Sequence, residues 1–206
     1  MKLTRATEGE LARLAARYGA PLVVDAPIAD EFDDPIRRRD RYGEVCMVVR
    51  RPTGKVLLSI KTFYPRGAYR LPTGGIHKGE KVYDALLRET HEETGLDTTV
   101  ERFLARISYR ALAPSSPPLF HTFAFLLREA GGTLGALDLS EQLEDWREVD
   151  AAELPRVADA LNDLQTTSAH DIGGDWRAWG KFRAVVHRVV HEALTTRDGR
   201  EGASPR

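Results

Sequence analysis

The chain has 206 residues, of which 42% are hydrophobic, 30% charged and 8% aromatic; that length and balance describe one domain with appended pieces, or at most two small domains, and not a disordered, collagen-like or coiled-coil protein. Thirty Lys and Arg against 31 Asp and Glu leave a net charge of −1, without the bulk basic excess that holds nucleic acid through its phosphates, so any polyanion site has to be local. A single cysteine, Cys46, excludes an internal disulfide and a cysteine-built metal site and fits the cytoplasm, while the lack of a long apolar stretch or a hydrophobic N-terminal region speaks against membrane spanning and secretion.

Taken in chain order, residues 7 to 18 place Leu11, Leu14 and Ala15 at helical spacing after Thr7, with Glu10 three residues on, the pattern of a capping box. Gly19 ends that helix, and Leu22, Val23 and Val24 are candidates for a strand. Residues 30 to 41 run from an acidic block through Pro35 into a basic one and resemble a linker or charged hairpin. We take residues 1 to 42 together as an N-terminal extension. Val45 to Val49 and Val56 to Ile60 are β-favouring runs separated by Pro52, Thr53 and Gly54, which predicts a hairpin. A loop rich in Gly, Pro and basic residues follows, then a helix from about Lys81 to Thr94 closed by Gly95.

Further strands are predicted at 98–107 and 119–127, with Pro114 to Pro118 as the loop between them. Residues 137 to 164 carry nine acids against two arginines, a short strand near Trp146 to Val149 and a helix from about Ala151 to Leu164. Trp176, Trp179, Phe182, Val185, Val186, Val189, Val190 and Leu194 then form an apolar stripe at intervals of three and four, one long amphipathic helix. The tail, 196–206, is polar and expected to be disordered. The order is mixed α and β, an α+β fold.

The chemistry concentrates in Gly74 to Leu96, GGIHKGEKVYDALLRETHEETGL. On a helix Glu89, Glu92 and Glu93 stand at i, i+3 and i+4, so their carboxylates converge on one face. They also lie in the last turn, where the helix dipole favours cations. Arg88 neutralises part of this charge, and a group of hard oxygen donors suits Mg²⁺ or Mn²⁺ better than zinc. Acidic runs of this kind are common on solvated helix faces, but here Gly74, Gly75 and Gly79 precede the run and permit close approach of backbone to phosphate or metal.

This segment resembles the Nudix box: Gly74, Glu80, Arg88, Glu89, Glu92, Glu93, Gly95 and Leu96 each occupy their positions in it. Thr90 departs from the pattern, standing where a bulky aliphatic is usual, and Thr73 stands where a glycine often precedes the box. The resemblance covers residues 43 to about 164 and implies a mixed β-sheet between helices; with the C-terminal helix added, we take residues 43–195 as the domain. It implies hydrolysis of a pyrophosphate bond in a nucleoside diphosphate linked to another moiety, such as a nucleotide sugar or an ADP-ribose-like compound, releasing a nucleoside monophosphate and a phosphorylated product. The alternative is a non-catalytic nucleotide-binding or regulatory module on the same fold.

By that resemblance Glu89, Glu92 and Glu93 bind Mg²⁺ or Mn²⁺, with the Thr73 carbonyl as a further candidate. Arg88 orients Glu89, Glu80 closes the loop or joins an outer metal shell, and Glu89 is the first choice for general base, with Glu141 or Glu144 as outside candidates. Residues 43 to 80 hold seven basic side chains against two acids. Among them Lys61, Arg66, Arg70 and Lys78, with Gly74 and Gly75, are candidates to hold substrate phosphates; ordinary solvated cations are the plain alternative. Phe63, Tyr64 and Tyr69 are candidates for base stacking or for core, and His77 and His121 rank below the glutamates as phosphate contacts. His187 and His191, at i, i+4, are expected to be exposed helix histidines, and Trp176 and Trp179 to pack the last helix on the domain. The neutral charge weakens action on capped RNA, no nucleic-acid partner is expected, and the extensions at the two ends are candidates to build a homodimer.

Overall fold

A computed structural model describes residues 2–28, 41–111, 117–165 and 175–201. Most of the charged stretch at 30–41, most of the Pro-rich loop at 114–118 and the last five residues lie outside the described residues. Helix α1 (Arg5–Tyr18) begins one turn earlier than its apolar pattern suggests, because the capping hydroxyl belongs to Thr4, which accepts from the Thr7 amide at 3.1 Å. Thr7 is therefore inside the helix, and Glu10 does not close a capping box but reaches out of α1 altogether. Gly19 terminates α1 with φ 93°.

The strands are β1 (Leu22–Ile28), β2 (Arg41–Arg50), β3 (Val56–Lys61), β4 (Thr73–His77), β5 (Leu96–Ala111), β6 (Phe120–Gly132) and β7 (Leu143–Val149), and the remaining helices are α2 (Val82–Thr94), α3 (Leu154–Asn162) and α4 (Trp176–Glu201). Among the described residues the strands make one sheet in the order β1-β5-β6-β2-β3-β7, with β4 also on β2. Pairing is mixed: β1 runs parallel to β5 and β2 parallel to β6, while β5/β6, β3/β7 and β2/β4 are antiparallel. The first half of β2 pairs with β4 and its end with β3, at Arg50 and Val56. This fork opens the sheet where the site forms.

The run Val45 to Val49 is buried throughout because both faces of β2 are covered. Cys46 and Val48 join the core under α3 and α4, and Val45, Met47 and Val49 join the core under α1 and α2. Each such side chain contributes about 1.5–3 kcal/mol on burial. The result is a helix, sheet, helix sandwich, as the resemblance implied. The segment taken as an extension is built into it: β1 lies along β5 from Leu22 opposite Ala105 to Ile28 opposite Ala111, and Leu11 and Leu14 are core. At the other end α4 runs on to Glu201, past residue 196 where a tail was expected. No described helix is long and apolar enough to cross a membrane.

Candidate active site

Two glycines expected in a loop lie instead in a strand. Gly74 and Gly75 belong to β4 and pair with Val45 and Glu44 of β2. A Cβ on Gly74 would overlap the Glu89 carboxylate, and a Cβ on Gly75 would come within 2.6 Å of the Arg41 guanidinium. The strand can lie under both charged groups because it carries no side chains there.

Arg88 holds the segment together. Its Nε and Nη2 donate to the two oxygens of Glu80 at 2.8 and 3.0 Å, and Nη2 also donates to the Gly75 carbonyl at 3.0 Å. Its Nη1 donates to Glu89 at 2.8 Å and Glu92 at 3.0 Å. Glu80 in turn accepts from the His77 amide at 2.9 Å, which closes the turn between β4 and α2. Burial works to raise the Glu80 carboxyl, but the hydrogen bonds from Arg88 and the His77 amide and the charge of Arg88 together outweigh it and leave the group below its ordinary range. Gly95, with φ 65°, ends α2 by donating to the His91 carbonyl at 2.9 Å. Thr90 is buried and its hydroxyl bonds back to the Leu86 carbonyl at 2.6 Å, so the polar substitution in the box is satisfied inside its own helix.

Glu89 and Glu93 converge with Glu141, which comes from the turn before β7; one carboxylate oxygen from each lies within 4.8 Å of the others. Lys61 sits beside this group, 2.6 Å from Glu141 and 3.6 Å from Glu93. Burial pushes the Glu93 carboxyl up to about 7 against the pull of Lys61 and Arg70. Glu89 is also raised by burial, which outweighs Arg88, whereas at Glu141 burial, the largest single influence, is outweighed by the combined lowering influences, led by the hydrogen bond and the charge of Lys61, which leave the group below its ordinary range. One oxygen of Glu93, Oε2, is buried and has no hydrogen-bond partner among the described residues. An unpartnered buried carboxylate oxygen beside two further carboxylates has the donor chemistry of a site for a hard divalent cation. Glu92 faces the same cleft, but its half-exposed carboxylate is turned to Arg88.

The cleft in front of these acids has a volume of about 660 Å³ and reaches from α2 to α4, whose Trp179 and Arg183 form its far wall. Of the predicted cations, Lys61 and Arg70 line it, but Lys61 is paired with the acids, and Arg70 is buried, bonded to the Tyr64 hydroxyl, the Leu71 carbonyl and Thr73 Oγ1. Arg66, Lys78 and Glu144 are exposed and are not among the residues that line the cleft. Thr73 lines it, as do His77, Phe63 and Tyr64; the two rings also pack on the core beneath α4. His121 is buried and bonded to Ser108 through Nδ1 at 3.1 Å.

Sequence reasoning missed Glu44 and Arg183. Arg183 Nη1 lies 2.8 Å from both oxygens of Glu44, which also accepts from Thr122 at 2.9 Å, and all three side chains are buried. The signal was a lone acid at the start of an otherwise apolar strand, which has to find a partner once the strand is covered.

Residues 41–170, more than half of the chain, match the family model described as the NUDIX domain. The chain is 30% identical over 168 residues to the human 8-oxo-dGDP phosphatase NUDT18, covering 80% of this chain and 47% of that one. It is 35% identical over 114 residues to the NAD-capped RNA hydrolase NudC of Vibrio atlanticus (strain LGP32), covering 55% of this chain and 39% of the relative. It is 35% identical over 107 residues to an ADP-ribose pyrophosphatase of Methanocaldococcus jannaschii, covering 50% and 59%. The chain thus spans less than two thirds of the length of each of these relatives. With the match extending from β2 through α3 and the box acids gathered at its centre, the chain belongs to the Nudix family.

Proposed function

We propose that the chain hydrolyses a pyrophosphate bond in a small nucleotide derivative, a nucleoside diphosphate linked to another moiety, with Mg²⁺ or Mn²⁺ bound at the box. The observation that carries this reading is the buried, unpartnered oxygen of Glu93 set among Glu89 and Glu141 at the edge of an open cleft. Glu93 and Glu141 would hold the cation together with Glu89 or Glu92, and the Thr73 carbonyl is a further candidate. A divalent ion in such a site draws charge from bridging phosphates and acidifies bound water. Arg88 keeps Glu89 and Glu92 in place from behind. Glu89 is the choice for the group that accepts the water proton, because its carboxyl is lifted by burial while Glu141 is held down by Lys61.

The relatives support this class of reaction: their names specify ADP-ribose, an NAD cap and 8-oxo-dGDP, and each contains a phosphoanhydride next to a nucleoside. Arg41, which lines the cleft beside Gly75, is a candidate to meet the part of the substrate that lies away from the acids, while Arg183 is held by Glu44. The single buried thiol, Cys46, suits a reducing cytoplasmic setting.

The test is a product analysis over ADP-ribose, nucleotide sugars, dinucleoside polyphosphates and nucleoside triphosphates with Mg²⁺ or Mn²⁺. A nucleoside monophosphate should be among the products of the preferred substrate. Glu93→Gln should lower kcat on the order of 10²-fold or more, the size of losing a group that stabilises transition-state charge. Undiminished turnover in that variant would remove Glu93 from the metal site. Tight binding of a nucleotide without hydrolysis by the wild type would make the chain a binding module instead.

A further inference from the structure

The helix that carries the metal-binding acids is capped from outside the Nudix match. The first amides of any helix lack intrahelical acceptors, and the residue at the cap position of α2 is Lys81, which has no acceptor and makes no side-chain cap. Glu10, from the middle of α1 and 8% exposed, takes that place: Oε2 accepts from the Val82 amide at 3.1 Å and Oε1 from the Tyr83 amide at 3.0 Å. A carboxylate there also meets the positive end of the helix dipole. Tyr18, at the end of α1, donates to the Tyr83 hydroxyl at 3.3 Å, and the two rings stack with centroids 6.2 Å apart. α1 is itself tied to β5, where both oxygens of Glu8 take the Arg106 guanidinium at 2.8 and 2.7 Å.

We infer that Glu10 is a positioning residue for the acids at the opposite end of α2. An α-helix from Val82 to Glu93 is a rod about 17 Å long, at 1.5 Å per residue. It is pinned at its end by Arg88, Gly95 and the glycine strand, and at its beginning by Glu10. Release of the first turn frees the rod to shift along or rotate about its axis. Glu89 rests directly on Gly74 and Glu93 faces Lys61 and Glu141, so small displacements change the fit of the cation site. The helix expected to be an appended piece is in this view part of the catalytic unit.

The inference rests on the reading of Glu93, together with Glu89 or Glu92 of the same helix, as metal ligands, and its test uses Mn²⁺ alone so that it does not depend on turnover. The full chain, E10A and E10Q are titrated with Mn²⁺ by electron paramagnetic resonance, with circular dichroism to verify folding and hydrogen exchange read along α2. E10A should weaken Mn²⁺ binding about 3- to 10-fold, less than the 10- to 100-fold lost with a direct outer-shell partner. E10Q, which keeps one acceptor oxygen, should fall between E10A and the wild type, and this holds as the readout if E10A does not fold. Exchange should rise from the Val82 amide through to the last turn. Wild-type Mn²⁺ affinity in both variants, or in E10Q when E10A is unfolded, with faster exchange confined to the first turn, would overturn the inference and leave Glu10 a local cap. A wild type that binds Mn²⁺ but hydrolyses nothing would defeat the proposed function and leave this inference standing, whereas one that takes up no Mn²⁺ would end both.

Discussion

Gly74 lacks a side chain where the Glu89 carboxylate occupies the space that one would fill, and this contact ties the strand β4 to the chemistry of α2. Gly74→Ala should therefore act on catalysis more than on folding. The added methyl has to push Glu89 off its position against Arg88, and misplacement of a catalytic group by about 1 Å costs on the order of 10²-fold in rate. We expect a kcat reduced by at least about 10-fold with a melting temperature near that of the wild type, measured by steady-state kinetics and thermal melting. Gly79→Ala is the control: its φ of 87° makes alanine strained, but a Cβ there meets no neighbouring atom, so its cost should fall on stability and not on kcat. At this scale the acids were legible because i, i+3 and i+4 spacing dictates a shared face. Their partners were less so. Lys61 and Glu141 reach the site from β3 and from the turn before β7, and no local pattern joins them to Glu93.

At the scale of elements the helices and most strands followed from periodicity and turn residues, while three features did not. β4 was hidden because Thr-Gly-Gly has poor strand propensity; it forms as the antiparallel partner of β2, and long-range pairing outweighs local preference there. The start of α1 was misplaced because Thr4 and Thr7 are equally good caps by type, and the hydrogen bond alone chooses between them. His187, expected on an exposed face, is fully buried because α4 is covered along most of its length by α3 and the sheet. The packing of α4 on α3 makes its own prediction. A Cβ on Gly180 would overlap the Leu161 carbonyl, so the two helices approach each other through this glycine. Gly180→Ala should force them apart at a cost of about 1–3 kcal/mol, as for other overpacked sites. The melting temperature should fall by several degrees, about 2–4 °C per kcal/mol for a chain of this size. A wild-type melting curve would show that α3 is free to move aside.

For the molecule as a whole, His187 is the link between the last helix and the segment that leads into the box. Its Nε2 accepts from the Leu71 amide at 2.9 Å, so Nδ1 carries the proton and donates to the Arg183 carbonyl at 2.7 Å. Both bonds require the neutral ring. Protonation would set Nε2–H against the Leu71 N–H, and burial, helped by the nearby Arg70 and Arg183 and opposed by the Arg183 carbonyl, pushes the imidazole down to about 3. In the unfolded chain the ring titrates near its ordinary value of about 6.5. The unfolded state therefore binds a proton that the folded state refuses between these two values. This contribution to stability is complete above about pH 6.5 and is lost progressively as the pH falls towards 3. The slope approaches about 1.4 kcal/mol per pH unit, so acidification from pH 7 to pH 5 should cost about 2 kcal/mol through this one residue. Glu93, raised to about 7, works in the opposite direction, its contribution fading as the pH rises through that value, but it is common to both proteins in a comparison with His187→Gln. Urea unfolding at pH 7 and pH 5 should show the variant to be less stable at pH 7, since the ring's packing is lost. It should also show a loss between the two pH values smaller than that of the wild type by about 2 kcal/mol. Equal losses in the two proteins would mean that the ring takes up a proton between pH 7 and pH 5 in the folded state as it does in the unfolded one, and that the joint between α4 and the approach to the box admits a charged ring on acidification.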